Sequence, residues 1–285
     1  MKNINECIAL AKLFDGDMVI GKNRDRNYNP NLKIVRELTG YNVEICYMID
    51  VDTDWSEGMN EFGIGLVNSA LFVKRDEKEK KLKKSKKQSK DGVRIREALG
   101  KDNLKDVIKS LLTYHGGIKG HTLVGNGKQL VSIEHTSRTH PVVKVRNLEE
   151  GPIVRTNHGI DHKEAGYQNG NDKVSSDLRM KNALEILKSS KDYKKLFPKI
   201  YMHKQEKGPK YDLVRSQNKL WTSSQILMNL NQKYMCLYLI PEAVKFIGVE
   251  NRLPKGHKPK ISVKIKQYKQ KPMEKYSDTI SKKPI

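Results

Sequence analysis

Two short apolar runs, Cys7-Ile8-Ala9-Leu10 and Met18-Val19-Ile20, flank an Asp15-Gly16-Asp17 turn. That spacing commits the segment to a β-hairpin, because Asp-Gly supplies the backbone conformation that a tight hairpin turn requires. The second run closes on a polar cluster, Gly21-Lys22-Asn23-Arg24-Asp25-Arg26. In an antiparallel hairpin the start of the first strand lies beside the end of the second, so Cys7 becomes a spatial neighbour of Asn23, Arg24 and Asp25. A thiol brought against charged and amide side chains is a candidate nucleophile. Each piece also has a plainer reading: Cys7 as a small buried hydrophobe and Asn23-Arg24-Asp25 as a solvated turn.

Further segments follow in order along the chain. Asn60-Glu61-Phe62-Gly63-Ile64-Gly65-Leu66-Val67-Asn68 is a glycine-punctuated run ending in an amide, and Gly120 to Gly127 with Val131-Ser132-Ile133-Glu134 reads as paired strands around an Asn-Gly turn. Arg155-Thr156-Asn157-His158, then Ser175-Ser176-Asp177-Leu178-Arg179, then a late hairpin from Leu220 to Tyr238 complete the set. Together with Cys7 and Asn23-Arg24-Asp25, these segments resemble the N-terminal-nucleophile (Ntn) hydrolases of the choloylglycine hydrolase, penicillin acyltransferase and acid ceramidase type.

The resemblance implies an α+β fold, a four-layer αββα sandwich of two antiparallel sheets between helices. It implies cleavage of a linear, non-peptide C–N amide bond through a Cys7 acyl-enzyme, resolved by water or by an acceptor amine; the sequence leaves hydrolysis and acyl transfer both open. Cys7 would first have to become an N-terminus, by self-cleavage between Glu6 and Cys7 that removes residues 1–6. A free α-amine has a pKa near 7.7 to 8.0, so the nucleophile then carries its own general base. Carried over residue by residue, Cys7, Asp25, Asn68, Asn157 and Arg179 form the catalytic set. Asp25 would orient the ammonium, Asn68 and Asn157 would donate to the oxyanion, and Arg179 would hold Asp25 or the substrate carbonyl. Lys22 or Arg24 would favour the thiolate, and Asn23 and His158 would line the site. Lys22 stands where the bile-salt and penicillin branch has arginine, and lysine offers no bidentate fork.

Composition bounds what else the chain does. Three cysteines, Cys7, Cys46 and Cys236, are too few for a disulfide framework and point to a reducing compartment. No stretch has the length and apolarity of a membrane span or the form of a signal peptide, so a cytoplasmic location is expected. No His/Cys/Asp/Glu spacing suggests a metal, and no cofactor is expected. The formal charge is +22. Much of it lies in the Lys-rich segment 74–90 and in the stretch from 255 to the end, which lack the interleaved aromatics of a base-stacking surface. They read as an inserted loop (74–91) and, from 269 to 285, a basic tail with weak polyanion contact. Two non-enzyme readings stay open: an inactive Ntn-fold binding or structural protein, and a basic nucleic-acid-associated protein.

Between these segments Val43, Ile45, Tyr47 and Ile49 alternate as a strand does, and Leu104, Val107, Ile108 and Leu111 follow helical spacing after Asp102-Asn103. Leu178, Ala183, Leu184 and Leu187 predict a second helix, capped by Ser175 or Ser176. The whole of 7–268 is expected to form a single domain around one small-molecule amide site.

Overall fold

The computed structural model describes residues 5–71, 91–113, 118–136, 140–203, 211–217, 220–240 and 242–268. The Lys-rich loop, the basic tail and residues 1–4 lie outside them. The hairpin pairs β1 (Asn5–Phe14) with β2 (Asp17–Arg26) over their full length, and Asp15 and Gly16, both at positive φ, form its two-residue turn.

Seven strands build the first sheet. Its main path runs β10 (Ile153–Arg155), β1, β2, β12 (Leu220–Asn229), β13 (Tyr234–Leu239) and β15 (Ser262–Gln267), with β11 (Ser216–Gln217) paired to β12. The second sheet runs β14 (Lys245–Asn251), β3 (Asn31–Leu38), β4 (Glu44–Asp50), β5 (Trp55–Asn60), β6 (Gly65–Ser69), β7 (Gly120–Gly125), β8 (Leu130–His135) and β9 (Val142–Arg146). Each sheet is antiparallel except for one edge pair: β15 runs parallel to β13, and β14 parallel to β3. The sheets are therefore mixed rather than purely antiparallel, because after β13 the chain crosses to the second sheet for β14 and back to the first for β15.

Three apolar layers fix the stacking. Ala9, Ala11 and Ile20 of the first sheet meet Ile34, Cys46, Met48 and Val67 of the second in a core between the sheets. On the outer face of the first sheet Ile8, Leu10 and Val19 pack against Ala183 and Leu187 of α3 (Gly170–Ser189) and Phe197 of α4 (Leu196–Met202). On the outer face of the second, Ile45, Tyr47 and Leu66 pack against Ile95 and Leu99 of α1 (Asp91–Leu99) and Val107 of α2 (Leu104–Thr113). The order helix, sheet, sheet, helix is the four-layer sandwich expected.

Strands covered on both faces read as near-continuous buried runs, which is why the polar cluster from Gly21 to Arg26 is buried throughout rather than a solvated turn. Gly21 has its own packing reason: a Cβ there would lie 2.9 Å from the Phe197 ring. Asn103 caps α2 through its side chain, accepting from Asp106 N–H at 2.9 Å. For α3 the sequence expectation is off by more than a turn. The helix starts at Gly170 after Asn169, and Ser175 and Ser176 lie inside it, buried.

Candidate active site

The period of two along a strand sorts the hairpin's polar residues onto two faces. Cys7 pairs with Arg24, and Glu6 with Asp25. Cys7, Lys22, Arg24 and Arg26 share the side of Ala9 and Ile20 and point between the sheets, whereas Glu6, Asn23 and Asp25 share the side of Ile8 and Leu10 under α3.

On the inner face Cys7 is buried, and Arg26 Nη1 lies 3.7 Å from its Sγ, a donor position that would hold a thiolate. Arg26 also donates to Asp25 O at 2.7 Å. Lys22 and Arg24, the expected thiolate partners, are engaged across the sheets. Lys22 pairs with Glu57, and Trp55 Nε1 donates to the same carboxylate. Arg24 Nη2 reaches Asp50 Oδ2 at 2.7 Å, and Tyr28 donates to that oxygen at 2.6 Å. Burial acts to raise Asp50, but Arg24, Tyr28 and Arg26 together carry it below the usual carboxylate range. Arg24 keeps Nε and Nη1 buried without a hydrogen-bond partner, as does Nε of Arg26. Directly across the strand pair from the thiol, the protein thus offers cationic N–H groups with spare capacity.

On the helix face, Asp25 receives Arg179 Nη1 at 3.0 Å and the Thr222 hydroxyl at 2.7 Å, with Arg215 Nε at 3.7 Å. Burial lifts its carboxyl above the ordinary range while the two arginines and Thr222 pull it down. Arg179 and Arg215 also grip Glu6, and Arg179 reaches Asn157 Oδ1 at 3.2 Å.

Asn157 joins the two faces through the backbone of Cys7. Its Oδ1 accepts the Cys7 N–H at 3.2 Å, and its Nδ2 donates to Ala70 O at 2.9 Å. It therefore holds the Cys7 nitrogen rather than presenting a free amide to an oxyanion. Asn68 is not brought to the thiol. Its Nδ2 is used by Lys119 O and Thr122 Oγ1, and its strand parity is that of Leu66, on the helix side of the second sheet. The neighbouring Ser69 takes the inner position instead, donating to Cys7 O at 3.2 Å and Thr156 O at 3.0 Å. Asn23 braces the structure behind the site, bonded to Leu213 O and Gln225.

His158 sits in a buried polar network. Its Nδ1 is 2.8 Å from Ser176 Oγ, which also accepts the Asn157 N–H at 3.0 Å, and its Nε2 is 3.3 Å from Asp177. The His158 carbonyl is 2.8 Å from His121 Nε2, and His121 in turn faces Glu134. Burial presses His121 down to about 4, against the pull of Glu134. A histidine held neutral in the fold, but not in the unfolded chain, stabilises above pH ~6.5 and loses that contribution as pH falls toward 4. Urea denaturation should show roughly 3 kcal/mol of stability lost across that window. His121→Gln should flatten the profile; an equal slope in both proteins would refute it.

Arg26, Arg215, Thr222 and Ser69 were not singled out from the sequence. Only Arg26 carried a signal, as the residue directly after Asp25 on the thiol's face of the strand. The other two thiols look structural: burial pushes Cys46 up to about 12 and raises Cys236. Among the described residues no group of His, Cys, Asp and Glu could hold a metal ion, and no helix is long and apolar enough to cross a membrane.

No protein-family model matches this chain, and no curated protein does. Among solved structures, a mutant conjugated bile acid hydrolase from Clostridium perfringens aligns with 80% of this chain and 88% of its own, at 14% identity and a TM-score of 0.46. A penicillin V acylase from Agrobacterium tumefaciens aligns with 82% of this chain and 86% of its own, at 10% identity and a TM-score of 0.42.

Proposed function

We propose that this chain is a cysteine amidohydrolase of the N-terminal-nucleophile kind, acting on a linear, non-peptide C–N bond of a small molecule, with Cys7 exposed by removal of residues 1–6. One observation carries the reading: Asn157 Oδ1 holds the Cys7 nitrogen while Arg26 faces the Cys7 sulfur. Those are the two atoms such chemistry uses, the nitrogen as base and the sulfur as nucleophile.

In this reading the α-amine takes the thiol proton, and Asn157 and Asp25 orient the resulting ammonium. The sulfur adds to the substrate carbonyl. The spare N–H groups of Arg24 and Arg26 stand on the same face as the thiol and are suited to the developing oxyanion. The ammonium then protonates the leaving amine, and water cleaves the thioester. An acceptor amine in place of water would give acyl transfer by the same steps. Arg179 acts as a positioning residue, since it touches Asp25 and Asn157 but not the thiol.

A second reading is an Ntn-fold binding protein that keeps its first six residues, favoured by the well-made ion pairs of Glu6. Intact mass of the purified protein separates the two. Loss of residues 1–6 supports the enzyme, and Asp25→Asn, which removes the carboxylate that orients the amine acting as base, should then slow release of those residues strongly. A stable full-length mass in wild type would refute the self-processing mechanism.

A further inference from the structure

The Glu6 carboxylate occupies a finished anion site. Arg215 Nη2 lies 2.7 Å and Arg179 Nη2 3.1 Å from its Oε2, and the Tyr167 hydroxyl donates to Oε1. Both arginines are buried, whereas Tyr167 is only half-buried. Asp25 shares the same two guanidinium groups. Two carboxylates therefore face two arginines.

We propose that release of residues 1–6 turns this clamp into a subsite for a substrate carboxylate, and that the acyl group Cys7 accepts is of glutaryl type, a five-carbon dicarboxylic monoamide. The proposal rests on the reading of Cys7 as a self-processed nucleophile.

The chemistry of processing supplies the first reason. In self-cleavage the Cys7 sulfur adds to the Glu6 carbonyl carbon through a five-membered ring. The S–C bond forms, the C–N bond between Glu6 and Cys7 breaks, and the thiol proton passes to the Cys7 nitrogen. Water then splits the thioester, leaving a carboxylic acid on Glu6 and a thiol on Cys7. Turnover of an external amide repeats these bond changes with a different leaving amine. Glu6 is thus the first acyl group this sulfur carries, and its side chain gauges the pocket. Three carbons separate the Glu6 carboxylate carbon from the reacting carbonyl carbon, which is the spacing of a glutaryl group.

Charge supplies the second reason. Arginine stays protonated in proteins. Once Glu6 leaves, Asp25 alone opposes two buried guanidinium groups and a new amine, and a buried cation without a partner is strongly disfavoured. An incoming carboxylate restores the balance and finds planar, charge-assisted donors already in place.

The test uses wild-type protein, expressed from the whole sequence, after its mass shows loss of residues 1–6. Turnover of glutaryl-p-nitroanilide is compared with that of pentanoyl-p-nitroanilide, which has a methyl group in place of the carboxylate. Binding of free glutarate and pentanoate is measured by calorimetry alongside. The expected result is a preference of roughly a hundredfold or more in kcat/KM for the glutaryl compound, since a site built for a polar group rejects the analogue lacking it. Arg215→Leu should collapse that ratio toward one. Tyr167→Phe, a smaller change at the half-buried mouth, should lower it several-fold and raise KM more than it lowers kcat.

Equal turnover of both anilides would overturn the subsite while leaving the amidohydrolase reading standing. Glutarate bound over pentanoate, with neither anilide cleaved, would support the subsite and overturn the hydrolase. A mass that still includes residues 1–6 would overturn the proposal, because Glu6 would never vacate the clamp.

Discussion

Replacing Cys7 with alanine is expected to abolish both the loss of residues 1–6 and all amide turnover, while the protein stays folded. Alanine removes one sulfur from a buried position and leaves the Asn157 contact to the backbone nitrogen intact. The stability cost is that of a small cavity, about 1 kcal/mol. The chemical cost is total for this mechanism, because no other described thiol is near the site; deleting a covalent nucleophile typically lowers kcat by about 10⁶-fold. Intact mass and a chromogenic amide assay read the two effects, with circular dichroism as the check on folding. Cys7→Ala turnover within tenfold of wild type would refute the nucleophile assignment. Cys7→Ser gives a finer reading: a slower nucleophile of the same shape should process slowly rather than not at all.

The largest stability effect is expected at Arg179. Its guanidinium is fully buried and holds three oxygens, from Asp25, Glu6 and Asn157, at 3.0, 3.1 and 3.2 Å. Burial and the neighbouring Arg215 pull its pKa down while Asp25 and Glu6 pull it up, so those carboxylates offset the cost of burying its charge. Arg179→Leu keeps the volume but leaves two buried carboxylates to Arg215 alone. Breaking a buried pair in this way costs roughly 3–5 kcal/mol. Adding Asp25→Asn should recover part of the loss, because the uncompensated charge is removed with its partner. Equilibrium urea unfolding of wild type, both single variants and the double variant would measure that coupling. Additive losses would mean that Arg179 contributes by packing and not by charge.

Local pattern alone carried the hairpin, the helix from Leu104 and the strand through Ile45 and Tyr47, since each rests on neighbours in sequence and a fixed period. The grouping of Cys7, Asp25, Asn157 and Arg179 came instead from the resemblance to the Ntn hydrolases, which no local period could supply. The α3 start was misread because Ser175 and Ser176 look like caps, yet their hydroxyls serve other parts of the fold: Ser176 accepts from the Asn157 backbone, and Ser175 accepts from Arg215 at 3.1 Å.

What only the tertiary structure decided is which atoms meet. A strand sends successive side chains to opposite faces, so a shift of one residue moves a group from one layer of the sandwich to the other. That is why Ser69 rather than Asn68 reaches Cys7; Lys22, Arg24 and Arg26 all share the thiol's face, and Arg26 is the one at the sulfur because Glu57 and Asp50 of the other sheet engage Lys22 and Arg24. Arg215 and Thr222 are nearly 200 residues from Asp25 in sequence and reach it only because β12 pairs with β2. The sequence by itself determined that a thiol, a carboxylate and an amide would share one end of a hairpin, because a two-residue turn fixes that register locally. Which face each occupies, and which buried charges balance them, depended on strand order and layer stacking, and those are set by contacts between residues far apart in the chain.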